Sequence, residues 1–147
     1  MPLVPPILLV EDDTVDAMTV RRALKDAGSS RTLVHRCDGE EALEYLRAVN
    51  GDKPGLILLD LNMPRKDGRD VLAEIKKDPD LDCIPVIVLT SSEAEDDVVK
   101  SYKLHASCYI AKPADIDQLN EMVRSIEDFW LKIAILPKTC RSSSKVV

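Results

Sequence analysis

The chain of 147 residues carries 20 Lys and Arg against 26 Asp and Glu, for a net charge of −6, and is 45% hydrophobic with one Trp, three Tyr and one Phe. That length fits one compact domain whose core is large enough to fold without disulfide or metal staples, and the acidic balance argues against a non-specific nucleic-acid binder. The longest apolar run, Ile84 to Leu89, contains a proline and falls far short of the roughly 20 residues that cross a bilayer, so no membrane span is expected.

Short apolar runs of strand type recur roughly every 20 to 30 residues, the length of a strand-plus-helix unit. The first, Ile7 to Val10, is not preceded by a basic segment and runs directly into Glu11-Asp12-Asp13, which excludes a secretory signal and predicts a cytosolic protein. A helix follows with Ala17, Val20, Leu24 and Ala27 on its buried face, stopping at Gly28. Thr32 to Arg36 is the second strand. Ala42, Leu46 and Val49 mark the second helix, which leads into the turn-rich loop Asn50 to Gly55. Leu56 to Leu59 forms the third strand, and Val71, Leu72 and Ile75 mark a third helix that Asp78-Pro79 ends. Val86 to Leu89 is the fourth strand. The fourth helix opens on the capping-box pattern Ser92-Glu-Ala-Glu95 and carries Val98, Val99 and Tyr102. The fifth strand, Cys108 to Ile110, precedes a helix from about Asp115 to beyond Trp130. Three of the five strands are apolar on both faces, as central parallel strands are when helices cover them above and below. Strands and helices that alternate in this way predict an α/β domain with a parallel sheet.

The last helix holds more apolar residues than one stripe needs. Leu119, Met122, Ile126, Phe129 and Ile133 follow three-four spacing and are expected to cover the sheet, while Ile116, Val123 and Trp130 recur every seven residues beside them. Beyond Leu136 the chain turns polar and basic, with Lys138, Arg141, a Ser triplet and Lys145, and is expected to fray. Cys37, Cys83, Cys108 and Cys140 lie far apart without metal-ligand spacing and read as reduced thiols. His35 and His105 read as isolated from the acidic residues.

Ligands of open parallel sheets bind beyond the carboxyl ends of the strands, so the residues just after each run matter most. They are Glu11-Asp12-Asp13, Asp60, Thr90-Ser91 and Lys112-Pro113. Three or four carboxylates, a hydroxyl and an ammonium thus converge on one pocket. Clustered carboxylates repel one another and either take up protons or recruit a hard cation, and oxygen-only ligands in a partly open site suit Mg²⁺. An ammonium and a hydroxyl beside that cation would clamp a phosphoryl group, with an aspartate as nucleophile. Read without function, Glu11, Asp12 and Asp13 cap the first helix, Asp13 most plainly, Thr90, Ser91 and Ser92 cap the fourth, and Tyr109 fills core.

Val10-Glu11-Asp12, Leu59-Asp60-Leu61-Asn62-Met63-Pro64 with Asp67-Gly68, Leu89-Thr90-Ser91 and Tyr109-Ile-Ala-Lys112-Pro113 together resemble the receiver domain of two-component response regulators. The resemblance covers about Pro6 to Trp130. It implies a flavodoxin-like, doubly wound five-stranded parallel sheet in the order 2-1-3-4-5 with five helices; with the apolar extension of the last helix the domain is expected to span residues 6–136, leaving 137–147 as a flexible tail. It also implies Asp60 as phospho-acceptor for a sensor histidine kinase, and Mg²⁺ on Asp12, Asp60 and the main-chain carbonyl of Asn62, with Glu11 acting through water. Thr90 and Lys112 would contact the phosphoryl oxygens, Thr90 and Tyr109 would form the switch, and the Lys112–Pro113 bond is often cis in such domains. Glu11 stands where aspartate is commoner. Phe129-Trp-Leu-Lys-Ile-Ala-Ile-Leu-Pro137 and Ser101-Tyr-Lys-Leu-His105 are similar to stand-alone regulators that partner phytochrome-type kinases in cyanobacteria, and the apolar extension predicts a homodimer with Phe129 and Trp130 near its centre.

With no effector domain expected, output would pass to a protein partner or another receiver. Two other classes remain in view. A haloacid-dehalogenase-type phosphatase wants Asp-x-Asp, whereas Asp60-Leu-Asn62 puts an amide at the acid/base position. A pseudo-receiver would bind without being phosphorylated, against which the complete acidic, hydroxyl and lysine set counts.

Overall fold

The computed structural model describes residues 4–48, 53–63, 66–91 and 95–137. Val49, the first half of the Asn50 to Gly55 loop, Pro64, the Ser92 cap, Cys140 and the basic tail lie outside the described residues. Five strands, β1 (Ile7–Val10), β2 (Leu33–Arg36), β3 (Leu56–Leu59), β4 (Val86–Thr90) and β5 (Cys108–Ala111), alternate with five helices. These are α1 (Thr14–Asp26), α2 (Gly39–Arg47), α3 (Gly68–Lys77), α4 (Glu95–Lys103) and α5 (Ile116–Ile126), the last continuing as a π-helical segment, Glu127–Ile133. All strand pairs are parallel, and the sheet order is β2-β1-β3-β4-β5.

Every residue of β1, β3 and β4 is buried, while the edge strands β2 and β5 are mostly half-buried. The doubly apolar runs therefore occupy the centre, because only there do helices cover both faces. Ala17, Val20, Ala23 and Leu24 of α1 pack with Val123 and Ile126 of α5 on one face. On the other, Ala42, Leu43 and Leu46 of α2 meet Val71, Leu72 and Ile75 of α3. Helix α1 ends where Gly28 adopts φ +79°, a left-handed conformation that costs glycine little. There the Ser29 and Gly28 amides donate to the Leu24 and Lys25 carbonyls, at 3.0 Å each, closing the last turn.

The fifth helix departs from the expected stripe. Its buried residues are Leu119, Val123 and Ile126, a 4-3 step one position away from the Met122 line. Past Glu127 the turn widens, and the Ala134 amide donates to the carbonyl of Phe129, five residues back, at 2.7 Å. A wider turn changes which residues face inward. Trp130, Leu131 and Leu136 pack against the core, whereas Phe129 is 53% exposed and Ile133 71% exposed. Phe129 and Trp130 meet edge to face with centroids 5.5 Å apart.

Helix α4 departs as well. Val99 and Tyr102 are exposed and Val98 is half-buried, so the stripe read from spacing does not enter the core. Cys37 and Cys108 are free thiols but Cys83, just before β4, is disulfide-bonded, which corrects the expectation of reduced cysteines. Distance along the chain says little about which thiols approach in space. No helix of the described residues is long and apolar enough to cross a membrane.

Candidate functional site

The parallel register builds the site. Val10 pairs with Leu59, so the residues that follow them, Glu11 and Asp60, emerge side by side where the strand order reverses between β1 and β3. Thr90 pairs with Ala111, which places Lys112 one step beyond on the neighbouring strand. The Lys112 amide donates to the Thr90 carbonyl at 2.7 Å and ties the two ends together.

Asp13 is the N-cap of α1: its Oδ1 accepts from the amides of Val15 and Asp16 at 2.9 and 3.1 Å. The Asp13 amide in turn donates to Glu11 Oε2 at 3.1 Å, so the cap also orients the glutamate. Glu11 is 2% exposed and Asp60 6%, whereas Asp12 lies at the surface. Carboxylate oxygens of Glu11, Asp12 and Asp60 lie within 4.8 Å of one another. An all-oxygen donor set of this kind, buried on one side and open on the other, fits a hard divalent cation.

Lys112 Nζ donates to Glu11 Oε1 at 2.6 Å, to Asp16 Oδ2 at 3.0 Å and to Asp60 Oδ2 at 3.4 Å. Burial alone would lower the lysine pKa, but the hydrogen bond and charge of Glu11, with the charge of Asp60, hold it above the ordinary lysine range. Burial pushes the Glu11 carboxyl up to about 7 against the hydrogen bond from Lys112, and the Asp60 charge adds to the rise. Asp60 Oδ1 accepts from the Asn62 amide at 3.1 Å. The side-chain amide of Asn62 donates to Thr90 Oγ1, also at 3.1 Å, and Thr90 is fully buried.

The structure thus brings Glu11, Asp12, Asp60, Asn62, Thr90 and Lys112 together. Tyr109 sits apart on β5, half-buried against the core, its amide donating to the Tyr102 hydroxyl at 3.3 Å. Phe129 and Trp130 lie beyond α5. The Lys112–Pro113 bond is trans, as are all peptide bonds among the described residues, which corrects the expectation of a cis bond. Two neighbours escape the reading of strand ends. His35 Nε2 lies 2.7 Å from the Glu11 carbonyl oxygen, so His35 is not isolated from the acidic residues. Asp16 reaches Lys112 from the first turn of α1, a position that the residues just after each strand do not include.

The family model for the response regulator receiver domain matches residues 7–124, most of the chain and every residue of this pocket. The chain belongs to the response regulator receiver family. This receiver is 49% identical over 135 residues to the response regulator Rcp1 of Synechocystis sp., covering 89% of this chain and 92% of that protein. It is 40% identical over 128 residues to the probable methanogenesis regulatory protein FilR2 of Methanothrix harundinacea, covering 85% of this chain and 83% of that one. Among solved structures, the phosphorylated cyanobacterial phytochrome response regulator RcpA matches with a TM-score of 0.88 at 48% identity, over 92% of this chain and 99% of that one. The Mn²⁺-bound form of Rcp1 matches with a TM-score of 0.86 at 48% identity, over 90% and 99%. The narrower resemblance to phytochrome response regulators therefore holds over most of the receiver, not only its last helix.

Proposed function

We propose that the receiver accepts a phosphoryl group on Asp60 from the phosphohistidine of a sensor histidine kinase, one of the phytochrome type. The observation that carries this reading is the Asp60 carboxylate, nearly buried at the switch point of the sheet, with the Lys112 ammonium 3.4 Å away and two further carboxylates alongside. A carboxylate oxygen of Asp60 attacks phosphorus, an O–P bond forms, and the bond from phosphorus to the imidazole nitrogen breaks. Lys112 and Thr90 hold phosphoryl oxygens: Thr90 accepts through Oγ1 and keeps its hydroxyl hydrogen to donate. Glu11, Asp12, Asp60 and the main-chain carbonyl of Asn62 would hold Mg²⁺, which when bound offsets the charge that carboxylates and phosphoryl group accumulate. Thr90 and Tyr109 would carry the change to α4 and β5, and from there to a downstream protein.

The decisive experiment is incubation with a small phosphodonor and Mg²⁺. A receiver gains one labile phosphoryl group, a phosphatase releases phosphate continuously, and a pseudo-receiver does neither. The phosphatase outcome runs against the geometry, because Asn62 donates its amide to Thr90 and offers no acid or base there.

Mg²⁺ affinity should depend on pH through Glu11. Its carboxyl titrates at about 7, so below that pH the cation must displace a proton and above it need not. Affinity is expected to rise about tenfold between pH 6 and pH 8 and then level off. Calorimetric titrations across that range check this, and a flat profile would remove Glu11 from the metal site.

We propose as well that the receiver forms a homodimer through α5 and its π-helical extension, where Phe129 and Ile133 are exposed. Phe129 is exposed while Trp130 packs partly inward, so the two aromatics are expected to answer differently. Phe129→Ala should leave a folded monomer, having lost about 2 kcal/mol of burial from each side of a twofold contact. Trp130→Ala should lower the melting temperature as well. Sedimentation decides, and a wild type monomeric at tens of micromolar overturns the dimer.

A further inference from the structure

Asp16 lies in the first turn of α1 and has no part in the metal or phosphoryl contacts assigned above. Its carboxylate is nevertheless the second-nearest partner of the lysine those contacts depend on. Lys112 Nζ stands 2.6 Å from Glu11, 3.0 Å from Asp16 and 3.4 Å from Asp60. An ammonium has three N–H donors, and here three carboxylates take them. The order of the distances places the lysine nearest Glu11 at the end of β1, next nearest Asp16 on α1, and farthest from Asp60. Its side chain is 11% exposed and that of Asp16 is 29% exposed, so water screens the pair only in part.

A phosphoryl group on Asp60 brings three strong acceptor oxygens into this pocket. To reach one, Lys112 must redirect a donor that a carboxylate already holds. Glu11 has a second engagement, with the Asp13 amide, and is a candidate for the cation, which would draw its charge away from the lysine. Asp16, anchored on the helix by the Asp13 cap, stays in place to hold the ammonium back.

We propose that Asp16 is a positioning residue that competes with the phosphoryl group for Lys112 and so sets how tightly a phosphoryl group at Asp60 is held. This rests on the reading of Asp60 as the acceptor. The probe is beryllofluoride with Mg²⁺, a phosphoryl mimic, followed by ¹⁹F nuclear magnetic resonance on the whole chain. Asp16→Asn should bind it about fivefold more tightly than wild type, the size expected when a partly screened ion pair no longer competes. Asp16→Ser should behave alike, and stands in should the amide disturb α1.

Removing any negative charge near an anion also favours binding, so the measurement is repeated with Lys112→Met. In that background the gain should vanish, because the effect runs through the lysine. A gain that persists there is a general charge effect and overturns the proposal, as does an affinity unchanged or weakened in the single variants. A wild type that takes up no beryllofluoride overturns the phosphoryl site itself, and the competition with it.

Discussion

Asp60→Asn is expected to lose all labelling by a small phosphodonor while keeping its fold. The amide matches the carboxylate in shape, so it can still accept from the Asn62 amide, but it lacks the anionic oxygen that attacks phosphorus. Stability should hold or rise. Asp60 is one of three clustered carboxylates, and its charge contributes to the elevated pKa of Glu11, so neutralising it relieves repulsion inside a buried pocket. Lys112 keeps Glu11 and Asp16 as partners. Intact-mass spectrometry after incubation with phosphodonor, together with a thermal melt, checks both halves. Labelling at the wild-type rate would place the acceptor on another carboxylate, Glu11 and Asp12 being the neighbours in the cluster.

Gly68→Ala should be the most damaging of the small substitutions near the site, although position 68 carries no chemistry. The first residue of α3 donates its amide to the Leu61 carbonyl at 3.0 Å, which draws the helix against the end of β3. A Cβ there would stand 2.3 Å from the Asp60 carbonyl oxygen and 2.6 Å from the Leu61 Cα. Both are backbone atoms with no rotamer to escape into. The clash therefore moves either α3 or the acceptor's own main chain, at about 3 kcal/mol, or roughly 10 °C in melting temperature. Displacing Asp60 by about 1 Å would also slow phosphorylation on the order of a hundredfold. Gly28→Ala is the control: no atom lies within 4 Å of the added methyl, so only the left-handed backbone at φ +79° is penalised, by about 1 kcal/mol. Equal melting temperatures for the two variants would show that the α3 contact yields more easily than its geometry implies.

Why Gly68 matters was not legible from the Asp67-Gly68 motif, and the contrast runs through the molecule. The strands were legible because burial on both faces demands unbroken apolar runs, and Ile7 to Val10, Leu56 to Leu59 and Val86 to Leu89 have no other use. From parallel strands it follows that Glu11, Asp60, Thr90 and Lys112 share one edge of the sheet. The buried face of α5 was misread by one position, because Leu119, Met122 and Ile126 fit helical spacing as well as Leu119, Val123 and Ile126 do. Amphipathic spacing leaves a phase ambiguity whenever a helix carries more apolar residues than one stripe needs. The π-helical turn after Glu127 added a change of pitch that no local propensity announces.

Asp16 and His35 mark the limit in the site itself. Each looked ordinary, a first-turn acid and an edge-strand histidine, since a side chain's partner depends on which elements the fold stacks beside it. The sequence by itself determined the number and order of the strands, the acidic, hydroxyl and lysine set at their ends, and the family. Only the tertiary structure decided that Lys112 is divided among three carboxylates, that Trp130 turns inward while Phe129 turns out, and that Lys112–Pro113 is trans. Of the first group, the strands and the residues at their ends follow from periodicity and composition, which act over a few neighbouring residues, while the sheet order and the family follow from the resemblance of those strand-end motifs to receiver domains. The second follows from contacts such as that between Asp16 and Lys112, 96 residues apart, which exist only after the sheet has closed its register.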